Sequence, residues 1–112
     1  MNCIFCKIST GEIHADKVFE NEDMVIIKDI NPQAKIHLLL IPKKHYNNII
    51  ELTENDADLL KRCFEKISEL AGELGLKNGF RLINNKGIDG GQTVNHIHIH
   101  ILGGERLPEK LN

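Results

Sequence analysis

The chain of 112 residues lacks an excess of charge of one sign, because 14 lysines and arginines are balanced by 16 acidic residues for a net charge of −2. Proteins that bind long nucleic acids need a basic surface, so we exclude a nucleic acid polymer as a partner. Long apolar runs are missing too. The longest, Met24–Ile27 and Leu38–Ile41, are far shorter than the roughly 20 residues that cross a bilayer, and we expect no membrane partner.

The sequence also lacks the features of an export signal and of a disulfide scaffold. Residues 1–30 do not show the basic and then apolar order of an export signal, so we expect the protein in the cytoplasm. Three cysteines, an odd number, argue against a disulfide scaffold and favour reduced thiols that are available to a metal. Apolar residues make up 41% and charged residues 27%, an ordinary globular composition, and we expect one domain over residues 1–112.

Hydrophobic periodicity predicts an α+β fold with an antiparallel sheet and one long helix. The predicted strands are Lys17–Phe19, Met24–Ile30, Ile36–Ile41, Phe80–Ile83 and His96–Leu102. Thr53, with Asp56 three residues on, predicts the start of the helix, and Gly75 predicts its end. Apolar residues at spacings of three and four predict one buried stripe of about five turns: Leu59, Leu60, Cys63, Phe64, Ile67, Leu70, Ala71 and Leu74.

The most informative segment is the alternating His-Ile-His-Ile-His-Ile-Leu at 96–102. In a strand, His96, His98 and His100 point to one face, about 6.6 Å apart from one to the next. One ion cannot easily bind all three histidines, because the outer two are about 13 Å apart. We therefore expect the three histidines to have different roles.

Cys3 and Cys6 form a Cys-x-x-Cys pair, which serves both zinc sites and redox motifs. No strand precedes the pair, as a thioredoxin-like motif would require, and a structural zinc site needs two more ligands. His45 and His96 are the candidates, although His45 in Lys43-Lys44-His45 could also be an ordinary surface histidine.

The segment 86–93 contains three glycines in five residues and leads directly to the histidines. Glycines let the backbone approach a ligand closely, and successive N–H groups can bind an anion such as a phosphate. The alternative is an ordinary hairpin loop.

The triad resembles the His-x-His-x-His-x-x signature of the histidine triad (HIT) family, nucleotide-binding hydrolases and transferases. Residues 4–8, 29–34, 41–45 and 89–93 resemble its Hint-like branch in order and spacing. The resemblance implies the HIT-like fold: a five-stranded antiparallel sheet, one long helix, a short N-terminal helix, and a two-fold homodimer that extends the sheet. It also implies that a purine nucleoside phosphoramidate or acyl nucleotide is hydrolysed through a nucleotidyl-histidine on His98.

By this resemblance His98 is the nucleophile, His100 holds the phosphate, Thr93 assists the leaving group, and His37 is a further pocket histidine. Thr93 stands where relatives often carry serine, and its β-branch restricts the hydroxyl. The implied nucleotide-binding residues are Phe5, Ile8, Ile27, Asp29, Ile30, Asn85, Gly91, Gln92, Thr93, His98 and His100, of which Ile8 and Ile27 could instead be plain core.

The resemblance also implies one structural zinc ion per chain, bound by Cys3, Cys6, His45 and His96, while Cys63 is expected in the core. The tail Arg106–Asn112 lacks the aromatic residue that some relatives place in the partner's pocket. Two other functions stay open: a metal-dependent hydrolase that uses triad histidines, and a nucleotide-binding module with little activity.

Overall fold

The computed structural model describes residues 3–110, so Leu111 and Asn112 of the predicted tail lie outside the described residues. Helix α1 spans Ile4–Thr10 and helix α2 spans Ala57–Leu70. The strands are β1 Lys17–Glu20, β2 Met24–Lys28, β3 Ile36–Pro42, β4 Phe80–Ile83 and β5 Ile99–Gly103. They form one antiparallel sheet in the order β1-β2-β3-β5-β4, which confirms the predicted fold class. Among residues 3–110 no helix is long and apolar enough to cross a membrane.

The central strand β3 is buried on both faces, because each face meets a helix. Leu38 and Leu40 pack with Cys63 and Ile67 of α2 in the larger core cluster. On the opposite face, Leu39 and Ile41 pack in a second cluster that contains two residues of α1, Phe5 and Ile8. The sheet therefore separates the α2 core from a smaller layer under α1.

Helix α2 begins later and ends earlier than the sequence predicts. Thr53 and Asp56 form the predicted capping box, but the first turn, Glu54–Asp56, is 3₁₀. The α-helix stops at Leu70, and the chain turns before Gly75, whose φ of +80° favours glycine. Phe64 is also not in the core, because 55% of its surface is exposed. The apolar stripe is thus wider than the sheet can cover.

The predicted strand His96–Leu102 is shortened at its start, since β5 begins at Ile99. Other hydrogen bonds replace the sheet pairing there: the Ile97 N–H donates to the Tyr46 carbonyl, and the His96 Nε2 lies 2.7 Å from the Pro42 carbonyl. Strand β2 likewise ends at Lys28 rather than at Ile30. Only His100 of the triad lies in the regular ladder, opposite Leu39.

Candidate active site and metal centre

Two thiols and two imidazoles meet beside the start of α1: Cys3, Cys6, His45 and His96. The Nδ1 of His96 lies 3.3 Å from the Cys3 sulfur and 3.5 Å from the Cys6 sulfur. The His45 Nδ1 lies 3.3 Å from the Cys6 sulfur and 3.1 Å from the His96 Nδ1. A tetrahedral zinc ion separates its sulfur and nitrogen ligands by about 3.3–3.6 Å. The cluster therefore has the dimensions of a closed metal site.

Hydrogen bonds leave the two imidazoles in the form that binds a metal. The His96 Nε2–H donates to the Pro42 carbonyl, so its Nδ1 carries the lone pair. The His45 Nε2–H donates to the amide oxygen of Asn47, whose amide nitrogen donates to Glu51. Two lone pairs 3.1 Å apart repel each other, and a cation between them removes that repulsion.

Burial shapes the protonation of this cluster. It lowers the pKa of His96, which keeps the ring neutral, and it raises the pKa of the Cys6 thiol, with the Cys3 sulfur adding to the increase. Metal ligands must be neutral imidazole and thiolate. A bound cation would therefore lower the pKa of His96 further and would oppose the increase in the pKa of Cys6.

The nearby cavity has a volume of about 600 Å³, and residues of α1, β2, β3 and the triad line it. The predicted nucleotide-binding residues at its wall are Phe5, Ile8, Ile27, Asp29, Ile30, Thr93, His98 and His100. Sequence reasoning missed other wall residues, including Ile13, His14, Leu39 and Val94. Leu39 and Val94 carry a sequence signal only as apolar residues, and His14 lies in a loop without any motif.

His98 is buried and lines this cavity, and its hydrogen bond defines which ring nitrogen carries the proton. Its Nδ1 lies 2.8 Å from the His96 carbonyl, an acceptor only, so Nδ1 carries the proton and Nε2 the lone pair. The Asn84 amide donates to the His98 carbonyl, and the Phe5 ring meets the imidazole edge-on at 5.0 Å. The backbone and the ring of His98 are therefore both held in place.

Three of the predicted nucleotide-binding residues, Asn85, Gly91 and Gln92, do not line this cavity, and neither does His37. The Gln92 side chain joins parts of the loop, because its amide nitrogen donates to the Asn47 and Val94 carbonyls and its oxygen accepts from the Gly87 N–H. The Gly91 N–H donates to the Ile88 carbonyl, and the Asn85 amide donates to the Gly90 carbonyl.

Thr93 behaves differently from its neighbours in the same loop. Across residues 3–110 the structure records no hydrogen bond to its N–H or hydroxyl, and it lines the cavity beside His98. Of the loop residues predicted to contact the phosphate, Thr93 is the one whose polar groups are available.

His37 of β3 lies next to His100 of β5, on the same face of the sheet. The two rings are joined by a contact of 2.9 Å between His37 Nε2 and His100 Nδ1, and both line a second cavity of about 370 Å³. The Asp29 carboxylate lies 3.4 Å from the His37 Nε2 and also faces the main cavity.

Known proteins and one protein family are similar to this chain over most of its length. The family described as scavenger mRNA decapping enzyme C-terminal binding matches residues 2–109. Protein HitA of Neisseria gonorrhoeae is 48% identical over 102 residues, 91% of this chain and 95% of that protein. An uncharacterized HIT-like protein of Chlamydia muridarum is 45% identical over 107 residues, 96% of this chain and 85% of that protein.

Solved structures give the same result. A histidine triad protein from Clostridium difficile superposes with a TM-score of 0.93 at 45% identity, covering 98% of this chain and 96% of that one. A HIT family hydrolase from Legionella pneumophila also gives 0.93 at 45% identity, covering 96% and 97%. The chain belongs to the histidine triad family.

Proposed function

We propose that this protein is a hydrolase that cleaves purine nucleoside phosphoramidates or acyl nucleotides through a nucleotidyl-histidine on His98. The observation that carries the proposal is the hydrogen bond from the His98 Nδ1–H to the His96 carbonyl, because it leaves a lone pair on Nε2 of a residue that lines the cavity. Neutral imidazole is a good nucleophile near neutral pH. The similarity to a HIT family hydrolase supports the reaction class.

The cavity suits a nucleoside monophosphate because its two sides differ in polarity. Phe5, Ile8 and Ile27 form a buried apolar wall on which a purine ring can lie. The Asp29 carboxylate can accept hydrogen bonds from the two ribose hydroxyls. Ile30 is 92% exposed at the rim, where a bound base would cover it.

In the first step the His98 Nε2 attacks phosphorus, a P–N bond to His98 forms and the bond to the leaving group breaks. An amine leaving group takes up one proton from the solvent as it departs, and the second step returns one proton to the solvent. The Thr93 hydroxyl is placed to donate a hydrogen bond to an amine or acyl leaving group as it departs. In the second step water attacks phosphorus and the P–N bond to His98 breaks, which releases the nucleoside monophosphate and returns neutral His98.

Donors near His98 stabilise the negative charge of the phosphoryl oxygens in both steps. We assign this role to the His100 ring and the Thr93 N–H, because both residues line the cavity. The predicted contacts of Asn85, Gly91 and Gln92 with the phosphate remain predictions. In the structure these residues form hydrogen bonds within the loop, and Gln92 also donates one to the Asn47 carbonyl outside it.

The Cys3, Cys6, His45 and His96 cluster is proposed to hold one zinc ion, which supplies structural cross-linking rather than chemistry. All four ligands come from the protein, so no position is left for a substrate or water. The site ties α1 to His96. Because Phe5 of α1 contacts both the His96 and His98 rings, the metal centre supports the wall of the cavity.

We also propose that the protein forms a homodimer through α2 and β4. Strand β4 is at the edge of the sheet, and Phe80 and Leu82 on it are each 39% exposed. Phe64 of α2 is more than half exposed. An exposed edge strand with apolar side chains is a surface that proteins normally cover, and a second copy of the chain would do so.

The test is the variant His98→Ala, assayed with an adenosine or guanosine phosphoramidate. Turnover should fall by at least about 1,000-fold because the covalent route is lost, while the affinity for the nucleoside monophosphate should change less than about threefold. A circular dichroism melt checks that the variant is folded. Turnover by His98→Ala at the wild-type rate would end the proposal.

A further inference from the structure

The three side chains Asp29, His37 and His100 form a second compact cluster, with one possible ligand atom from each lying within 4.8 Å of the others. Such a group is compatible either with a metal ion or with a chain of hydrogen bonds. The two alternatives require different protonation of the rings, because a metal needs lone pairs that point to one centre.

The backbone of Gln33 decides the protonation of His37. Its N–H lies 3.0 Å from the His37 Nδ1 and can only donate. The His37 Nδ1 must therefore carry a lone pair, and the proton of the neutral ring is on Nε2. The His37 side chain is only 4% exposed, so water does not offer an easy alternative.

The proton on the His37 Nε2 then determines the protonation of His100. The His100 Nδ1 lies 2.9 Å away, whereas the nearest Asp29 oxygen lies 3.4 Å away, so the shorter hydrogen bond goes to His100. If the His100 Nδ1 accepts, the proton of His100 is on its Nε2. Burial, and then the neighbouring His98 and His37, lower the pKa of His100, which keeps this ring neutral.

We propose that the Gln33 N–H and His37 are positioning groups that fix His100 as the Nε2–H tautomer, so that His100 presents a hydrogen-bond donor to a phosphoryl oxygen of the substrate. The consequence for phosphate binding rests on the proposed function, but the tautomer itself does not. His98 and His100, two residues apart, thus carry opposite tautomers: His98 offers a lone pair and His100 a proton.

The same hydrogen bond argues against a metal ion at this cluster. A cation on the His37 Nε2 would need the proton to move to Nδ1, where it would face the Gln33 N–H at 3.0 Å. Two donors would then point at each other without an acceptor. The metal centre differs, because there the protonated nitrogens of His45 and His96 both point to acceptors.

The direct test is nitrogen-15 NMR of the six histidine rings in the wild-type protein at about pH 8, where an ordinary histidine is neutral. His37 and His100 should each show a bare Nδ1 and a protonated Nε2, and His98 the reverse. A protonated Nδ1 on His100 as the main form would overturn the proposal.

A matched pair of variants tests the cause. Gln33→Pro removes the backbone donor together with the side chain, and the His100 Nδ1 resonance should move toward the protonated type as the two tautomers mix. Gln33→Ala keeps the N–H and should keep the wild-type tautomers. Unchanged tautomers in a folded Gln33→Pro protein would show that Gln33 does not set them. If Gln33→Pro does not fold, the wild-type spectrum still decides the tautomer of His100.

Two further readouts separate this inference from its alternatives. Titration with zinc should saturate at one ion per chain and leave the His37 resonances in place, and a second ion that shifts them would refute the tautomer chain. Addition of a nucleoside monophosphate should shift the His100 Nε2–H resonance. If the free-protein tautomers are as expected but no nucleotide shifts them, the phosphate role fails while the tautomer assignment stands.

Discussion

Zinc should raise the thermal stability of this protein by a large and calculable amount. An ion that binds only the folded state at 1,000 times its dissociation constant adds about 4.1 kcal/mol to the free energy of unfolding. An unfolding entropy of about 2.1 cal/mol/K per residue gives about 0.24 kcal/mol/K for a chain of this length. The melting temperature should therefore rise by about 17 °C between the chelator-treated and the zinc-saturated protein.

The assay is a circular dichroism melt at increasing free zinc, with two cysteine variants as a matched pair. Cys6→Ser removes a cluster ligand and should lose most of the 17 °C response. Cys63→Ala removes the cysteine of the α2 core, whose thiol pKa burial raises to about 11, and should keep the full response on a lower baseline. An equal response in Cys6→Ser and wild type, or none in wild type, would refute the assignment of the cluster.

The remaining predictions concern the dimer, the core and the acid limit of stability. Phe64→Glu should halve the mass measured by light scattering, whereas Phe64→Leu should not. Leu40→Ala, at a fully buried position, should lower the free energy of unfolding by about 2–5 kcal/mol in urea, and a loss below about 1 kcal/mol would contradict the core assignment. Hydrogen bonds from Tyr46 and then the Thr53 N–H lower the pKa of Asp56, so this stabilisation is present above the unfolded value of 3.8 and is lost as pH falls through the lower folded value. Asp56→Asn should therefore lower the free energy of unfolding at neutral pH and make it fall less steeply in acid. An unchanged slope in acid would contradict this role of Asp56.

The cysteine–histidine cluster could be predicted from sequence because the hypothesis of a zinc site with four ligands restricts the choices strongly. Cys3 and Cys6 needed two partners, and the structure brings His45 and His96 to them. The alternating pattern also separated His100 from Ile99 and Ile101, which pack in the α2 core, since a period of two leaves only two faces.

The errors have physical causes of their own. Periodicity placed Phe64 in the core because apolar spacing along a helix does not show how wide a stripe the sheet covers, and Phe64 lies outside that stripe. The prediction that the last strand begins at His96 was wrong. Periodicity does not show that the His96 ring donates a hydrogen bond to the Pro42 carbonyl. The Gln33 contact with His37 involves a backbone N–H, which any residue except proline supplies, so no sequence motif could have indicated it.

The central claim is that the His98 Nε2 forms a covalent bond to phosphorus, and trapping that intermediate tests it most directly. Wild-type protein mixed with a nucleoside phosphoramidate and quenched in base should gain the mass of one nucleoside monophosphate less water, with the added mass on the peptide that contains His98. Rapid turnover with no adduct on this peptide, or an adduct on another residue, would contradict the account.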